Sequence, residues 1–293
     1  MRRIARLLFL VVTISAAIVF AGEEKITVAV SLQPYATLVK MVGGPYVNVI
    51  TLLPPGADPH NFEPKPAVIK AFSLAQVYFS DGSGLDKVWL PRFLAANKNV
   101  DVVDISKYIE WMKAEHDSHE INGHHHDEDE IDPHVWTSPY RVKYLAQNIF
   151  HALKRLDPEH EIFYINQIQQ VQNQLTAVAR KLKETVITMP VNRRSFIVFH
   201  PSYGYLAKDF GLKQYAIEVN GKEPKPRDLA NLIKMGRKNG IKAVFVQPEF
   251  SKRAAETIAK DLGAVVVETD PLAADFIGNT EKFIKALKEA GKR

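Results

Sequence analysis

Short apolar runs rich in β-branched residues recur along the chain, each followed by a stretch with apolar positions at helical spacing. Ile26–Val30, Val47–Leu52, Val77–Phe79 and Val100–Val103 predict strands in a first half. Phe196–Phe199, Ala243–Val246 and Ala264–Glu268 predict strands in a second. These runs are nearly continuous rather than alternating, which suits strands buried on both faces of a parallel sheet. Pro34–Val42, Pro66–Leu74, Arg227–Lys238 and Ser251–Leu262 lie between them and read as amphipathic helices. Strand and helix alternate in both halves, so the expected fold is α/β, in two lobes of mostly parallel sheet flanked by helices.

Between the halves, Pro158–Met189 has no internal Gly or Pro and places Ile162, Ile165, Ile168, Leu175 and Val178 at helical spacing. Asp157 is the expected N-cap, Pro158 the first helical position, and Pro190 the stop. One continuous helix here would be about 45 Å long and would join the lobes as a spine; two helices with a bend are the alternative.

The first residues follow a different pattern. Arg2, Arg3 and Arg6 precede a largely apolar run of fourteen residues, Leu7–Phe20, and Ala21 precedes the polar Gly22-Glu23-Glu24-Lys25. That layout predicts a secretory signal peptide cleaved after Ala21. The run is shorter than the roughly 20 residues a membrane-spanning helix needs. The expected division is therefore a signal peptide at 1–21, a first lobe at 22–157, a linker helix at 158–189 and a second lobe at 190–293.

Composition narrows the function classes. The 293 residues are 46% hydrophobic and 24% charged, as in a packed globular protein. The formal charge of +5 falls to +2 without the three leader arginines, too little to argue for nucleic acid. There is no cysteine, which excludes thiolate metal sites, cysteine nucleophiles and a lipid-bearing Cys. The expectation is a secreted, extracytoplasmic or periplasmic protein that is not a lipoprotein and folds as a monomer on its own core.

Histidine is unevenly placed. Glu110–Asp132 holds nine acidic residues, one lysine and five of the ten histidines: His116, His119, His124, His125 and His126. With almost no apolar content, this stretch is expected as a solvated loop at 113–131 that binds metal weakly as an accessory.

Of the five other histidines, three share a local feature. His60 and His134 each end an Asp-Pro-His tripeptide, Asp58-Pro59-His60 and Asp132-Pro133-His134, while His200 ends an apolar strand and precedes Pro201. Asp270 likewise follows the strand Ala264–Glu268 and precedes Pro271. Proline stiffens each of these turns. Ligands of open α/β sheets bind outside the carboxyl ends of the strands, so two such edges facing each other would converge on one cleft. Three imidazoles and a carboxylate suit Zn²⁺ in four-coordinate geometry, whereas a carboxylate-rich site would suit Mn²⁺ or Ca²⁺. His151 and His160 lack the feature and read as structural.

Several longer segments, in order, are similar to one known family. They are Leu52-Leu-Pro-Pro-Gly-Ala-Asp-Pro-His-Asn-Phe-Glu-Pro64, Ser80-Asp-Gly-Ser-Gly-Leu85, Asp132-Pro-His-Val-Trp136, Val198-Phe-His-Pro-Ser-Tyr-Gly-Tyr205, Glu223-Pro-Lys-Pro-Arg-Asp-Leu229, Phe245-Val-Gln-Pro-Glu-Phe-Ser251 and Glu268-Thr-Asp-Pro-Leu272. Across the mature chain they resemble the zinc/manganese substrate-binding proteins of ABC uptake transporters. The resemblance implies two α/β lobes joined by one long rigid helix, with the metal in the cleft between them. It implies ligands at His60, His134, His200 and Asp270, zinc as cargo with Mn²⁺ as the alternative, and a membrane permease with a cytoplasmic ATPase as partners. His200, where manganese-selective members tend to carry a carboxylate, and the His-rich loop both favour zinc. Gln247 departs from the pattern, which would have an acidic residue in that strand motif.

Other classes are disfavoured. A zinc hydrolase would need an open metal position, but Asp270 would fill it. No His-Glu-x-x-His helix is present, and Glu63 and Glu268 read as turn or surface residues. The chain has no Gly-x-x-x-x-Gly-Lys-Ser/Thr loop for ATP. An adhesin or zinc-buffering surface protein would have no evident means of retention.

Overall fold

In the computed structural model, residues 24–114, 131–218 and 222–292 are described. The signal-peptide segment and the five loop histidines, His116 to His126, lie outside them.

The β-branched runs form two sheets of four strands, all parallel. In the first, β1 (Ile26–Val30), β2 (Val47–Thr51), β3 (Val77–Ser80) and β4 (Asp101–Asp104) lie in the order β2-β1-β3-β4. In the second, β5 (Ser195–Val198), β6 (Lys213–Ala216), β7 (Ala243–Val246) and β8 (Val265–Glu268) repeat that order as β6-β5-β7-β8. The direction of winding reverses between β1 and β3, and again between β5 and β7. Each sheet therefore opens a crevice at the carboxyl ends of its central strands.

Seven strands fall on apolar runs, and β6 does not. Its sequence is Lys-Gln-Tyr-Ala at the sheet edge, where only Gln214 is buried, so it carries no apolar signature.

Helices α1 (Gln33–Gly43), α2 (Pro66–Phe72), α3 (Gly84–Ala96) and α4 (Pro139–Leu156) cover the first sheet. The long helix α5 runs over Glu161–Thr188, and α6 (Gly204–Phe210), α7 (Pro226–Lys238), α8 (Lys252–Leu262) and α9 (Phe276–Gly291) complete the second lobe. No helix among the described residues is long and apolar enough to cross a membrane.

The linker is one helix of 28 residues, about 42 Å long, rather than two with a bend. Its start differs from the expectation. Pro158–His160 form a 3₁₀ turn, and Asp157 makes no side-chain cap. Its carboxylate instead binds His160 Nδ1 at 2.7 Å and accepts from Tyr164 Oη at 2.6 Å. The buried stripe also differs, because Ile162 and Ile165 are exposed while Tyr164 is buried. Tyr164, Ile168, Val171 and Leu175 join the first lobe's core, and Val178, Ala179, Leu182 and Val186 join the second's. A single helix thus belongs to both cores.

Candidate metal centre

The second sheet positions His200. After Val198 ends β5, the backbone N–H of Glu218 donates to Phe199 O (3.1 Å), which brings the chain leaving β6 alongside. The Glu218 carboxylate then accepts from His200 Nδ1 at 2.9 Å, and both side chains are largely buried. The Phe250 ring stacks at 5.9 Å from the imidazole.

His134 is fixed by its own tripeptide. Asp132 Oδ1 accepts from the His134 backbone N–H (2.9 Å) and from its Nδ1 (2.7 Å), so one carboxylate sets both turn and ring. Asp132 is in turn held by close approach of the other lobe. A methyl group on Gly204, which opens α6, would come within 2.5 Å of Asp132 Oδ2. Tyr205 Oη donates to Asp132 O at 2.9 Å and accepts from the Met112 N–H at 2.8 Å. Trp136, 5.2 Å from the His134 ring, donates its indole N–H to Pro271 O across the lobes at 2.8 Å.

These two imidazoles come from opposite lobes and meet, with His134 Nε2 and His200 Nε2 3.3 Å apart. Each Nδ1 is paired with a carboxylate, and the two Nε2 atoms face each other. Nitrogens bound at about 2.05 Å to one tetrahedral Zn²⁺ stand about 3.3 Å apart.

Asp270 follows β8 by one residue. Its backbone N–H donates to Asn279 Oδ1 (2.9 Å), and its Oδ1 accepts from Leu272 N–H (2.8 Å). Burial raises its pKa above the ordinary carboxylate value, partly offset by the Leu272 hydrogen bond. His60 lies on the 3₁₀ turn Pro59–Asn61, and its side chain is outside the described part. Asn61 Nδ2 braces that turn on Asp58 Oδ2 at 2.7 Å. Of the four predicted ligands, the structure brings His134 and His200 into contact. Among the described residues no group of three or more His, Asp or Glu side chains closes around a common point. His151 lies against Gln147 (3.1 Å), and His160 is stacked on Tyr46 (3.7 Å).

Three acidic groups escaped the sequence reading. Asp132 and Glu218 hold the two imidazoles. Glu249 has its pKa raised chiefly by burial and then by the charges of Asp270 and Asp58, with His200 opposing. Only Asp132 had a legible signal, the repeated Asp-Pro-His tripeptide.

Residues 28–290 match the family described as ZnuA, the periplasmic component A of a zinc-uptake complex. The chain belongs to this family. A putative metal-binding protein of Treponema pallidum (strain Nichols) is 29% identical over 83% of this chain and 78% of its own length. The zinc-binding protein AdcA of Streptococcus pyogenes serotype M1 is 30% identical over 90% of this chain. The chain spans only about half of that streptococcal relative, 53% of its length. Among solved structures, a zinc-bound ZnuA deletion mutant superposes with a TM-score of 0.81 at 33% identity, covering 92% of this chain and 98% of that one. ZnuA proteins are solute-binding components and not enzymes, and the two-lobed parallel α/β fold found here is theirs.

Proposed function

We propose that this protein captures Zn²⁺ outside the cytoplasm, between its two lobes, and delivers it to an ABC-type permease driven by a cytoplasmic ATPase. The observation that carries the metal assignment is the His134–His200 pair, with its 3.3 Å separation and both Nδ1 atoms committed to carboxylates. Asp270 and His60 complete the ligand set in this reading. Two nitrogen donors already in place favour zinc over manganese, which prefers oxygen. The names of the AdcA and ZnuA relatives point the same way.

Export by the arginine-headed leader, with no lipid anchor in a chain without Cys, belongs to the same proposal. So does action as a monomer.

Calorimetric titration is expected to show one tight zinc per chain. His134→Ala and His200→Ala should each weaken it by more than 100-fold, since half of the preformed nitrogen pair is lost. Wild-type affinity in either variant would remove the site from this cleft.

A further inference from the structure

Gln247 is the one position where the motifs depart from the resembled family. It immediately follows β7, is 1% exposed, and faces the carboxyl end of β5, where His200 sits. The β5–β7 ladder ends with Phe199 N–H donating to Phe245 O at 3.0 Å. Donors on one strand of a parallel pair recur at every second residue, so the next would be residue 201. That residue is Pro201, which has no N–H. The ladder cannot continue by backbone, yet the next residue in line carries a functional imidazole.

Beyond the end of the ladder, the Gln247 side chain takes over the contact with β5's exit. Its Oε1 accepts from the His200 backbone N–H at 3.2 Å, and its Nε2 donates to His200 O at 2.7 Å and to Ser202 Oγ at 3.0 Å. A carboxamide has the same donor and acceptor as a peptide group, so it can grip both backbone polar groups of one residue. A carboxylate cannot, because it has no hydrogen to give. An ionised Glu here would set an oxygen against the His200 carbonyl at the distance where an amide now donates.

We propose that Gln247 is a positioning residue for the cation site: just beyond the end of the β5–β7 ladder it grips the backbone N–H and C=O of His200 and thereby fixes the His200 imidazole against His134. Glu218 sets the rotation of the ring, and Gln247 sets the backbone from which the ring projects. Mutating groups that orient a metal ligand typically costs about 10–100-fold in affinity, and that is the expected size of the effect.

The inference rests on the zinc-site reading, and three variants keep the two separable. Gln247→Glu keeps the shape and removes the donor, while Gln247→Met keeps the length and packing without either polar function. Gln247→Met is expected to weaken zinc by about 10–100-fold, and Gln247→Glu, which restores the acidic residue of the family pattern, to weaken it less. Gln247→Met should also alter the visible absorption of the Co²⁺-loaded protein, which reports ligand geometry. A Gln247→Met variant that binds zinc within threefold of wild type with an unchanged Co²⁺ spectrum would overturn the inference. His200→Ala in the same titration separates the readings. If it loses zinc while Gln247→Met does not, the positioning role fails alone; if it binds as wild type, the site reading itself fails.

Discussion

At the scale of single residues, the chemistry lies in how each imidazole is paired. Asp132 and Glu218 pair with Nδ1 of His134 and His200, and the two Nε2 atoms face each other. Such carboxylate partners fix the tautomer and raise the basicity of the donating nitrogen. Asp132→Asn and Glu218→Gln remove the negative charge and can offer Nδ1 the wrong partner. Each is expected to weaken zinc by about 10–100-fold with the one-to-one stoichiometry intact, measured by competition with a chelator of known affinity. Full affinity in both would mean that the rings are held by packing alone. The four ligand candidates were legible because proline marks each turn, while Glu218 was not. It lies eighteen residues from His200, and only the pairing of β6 with β5 brings them together. An edge strand without apolar residues hides its own register and with it the partner it delivers.

Among the elements, the first sheet has its own polar cluster at the β1–β3 crevice. Asp86 accepts from Tyr78 Oη, from Ser80 Oγ at 2.7 Å and from the N–H groups of Asp81 and Gly82 at 2.8 and 2.9 Å. Its neighbour Asp81 accepts from Ser31 Oγ and from Ser83 N–H at 2.7 Å, and is fully buried. Burial first, and then the neighbouring Asp86 carboxylate, push Asp81 from the ordinary 3.8 to about 7. Between those pH values the folded chain holds a proton that the unfolded chain has released. Stability from this group therefore falls as pH rises from about 4 to about 7 and is fully lost above. Asp81→Asn cannot ionise, and its amide can donate to Ser31 Oγ while its oxygen keeps the Ser83 bond. It should flatten that slope and be more stable than wild type at pH 8. Urea midpoints at pH 5 and pH 8 measure it; a variant less stable than wild type at pH 8 would show that Asp81 is needed as an anion. Apolar periodicity reported where this sheet runs, but the cluster is built of Ser, Asp and Tyr that look like ordinary turn residues in the sequence.

Across the whole molecule, the lobes are joined by more than the cleft. Helix α5 gives its first half to one core and its second half to the other. On the cleft side, Trp136 reaches Pro271, Tyr205 reaches Met112 and Asp132, and Arg141 grips Asp209 at 2.8 and 3.0 Å. A molecule tied in this way should unfold as one unit with or without metal, because neither core survives loss of the shared helix. Zinc that binds only the folded chain then adds stability by mass action, about 2.7 kcal/mol at a free concentration 100 times Kd. For a chain of this size that corresponds to roughly 5–10 °C in Tm. Scanning calorimetry should show a single transition moved upward by zinc, returned by a chelator, and unmoved by zinc in His200→Ala. If metal instead split the transition and raised only one part, the ion would be held by one lobe, and the pair of imidazoles from opposite sides would not be its site.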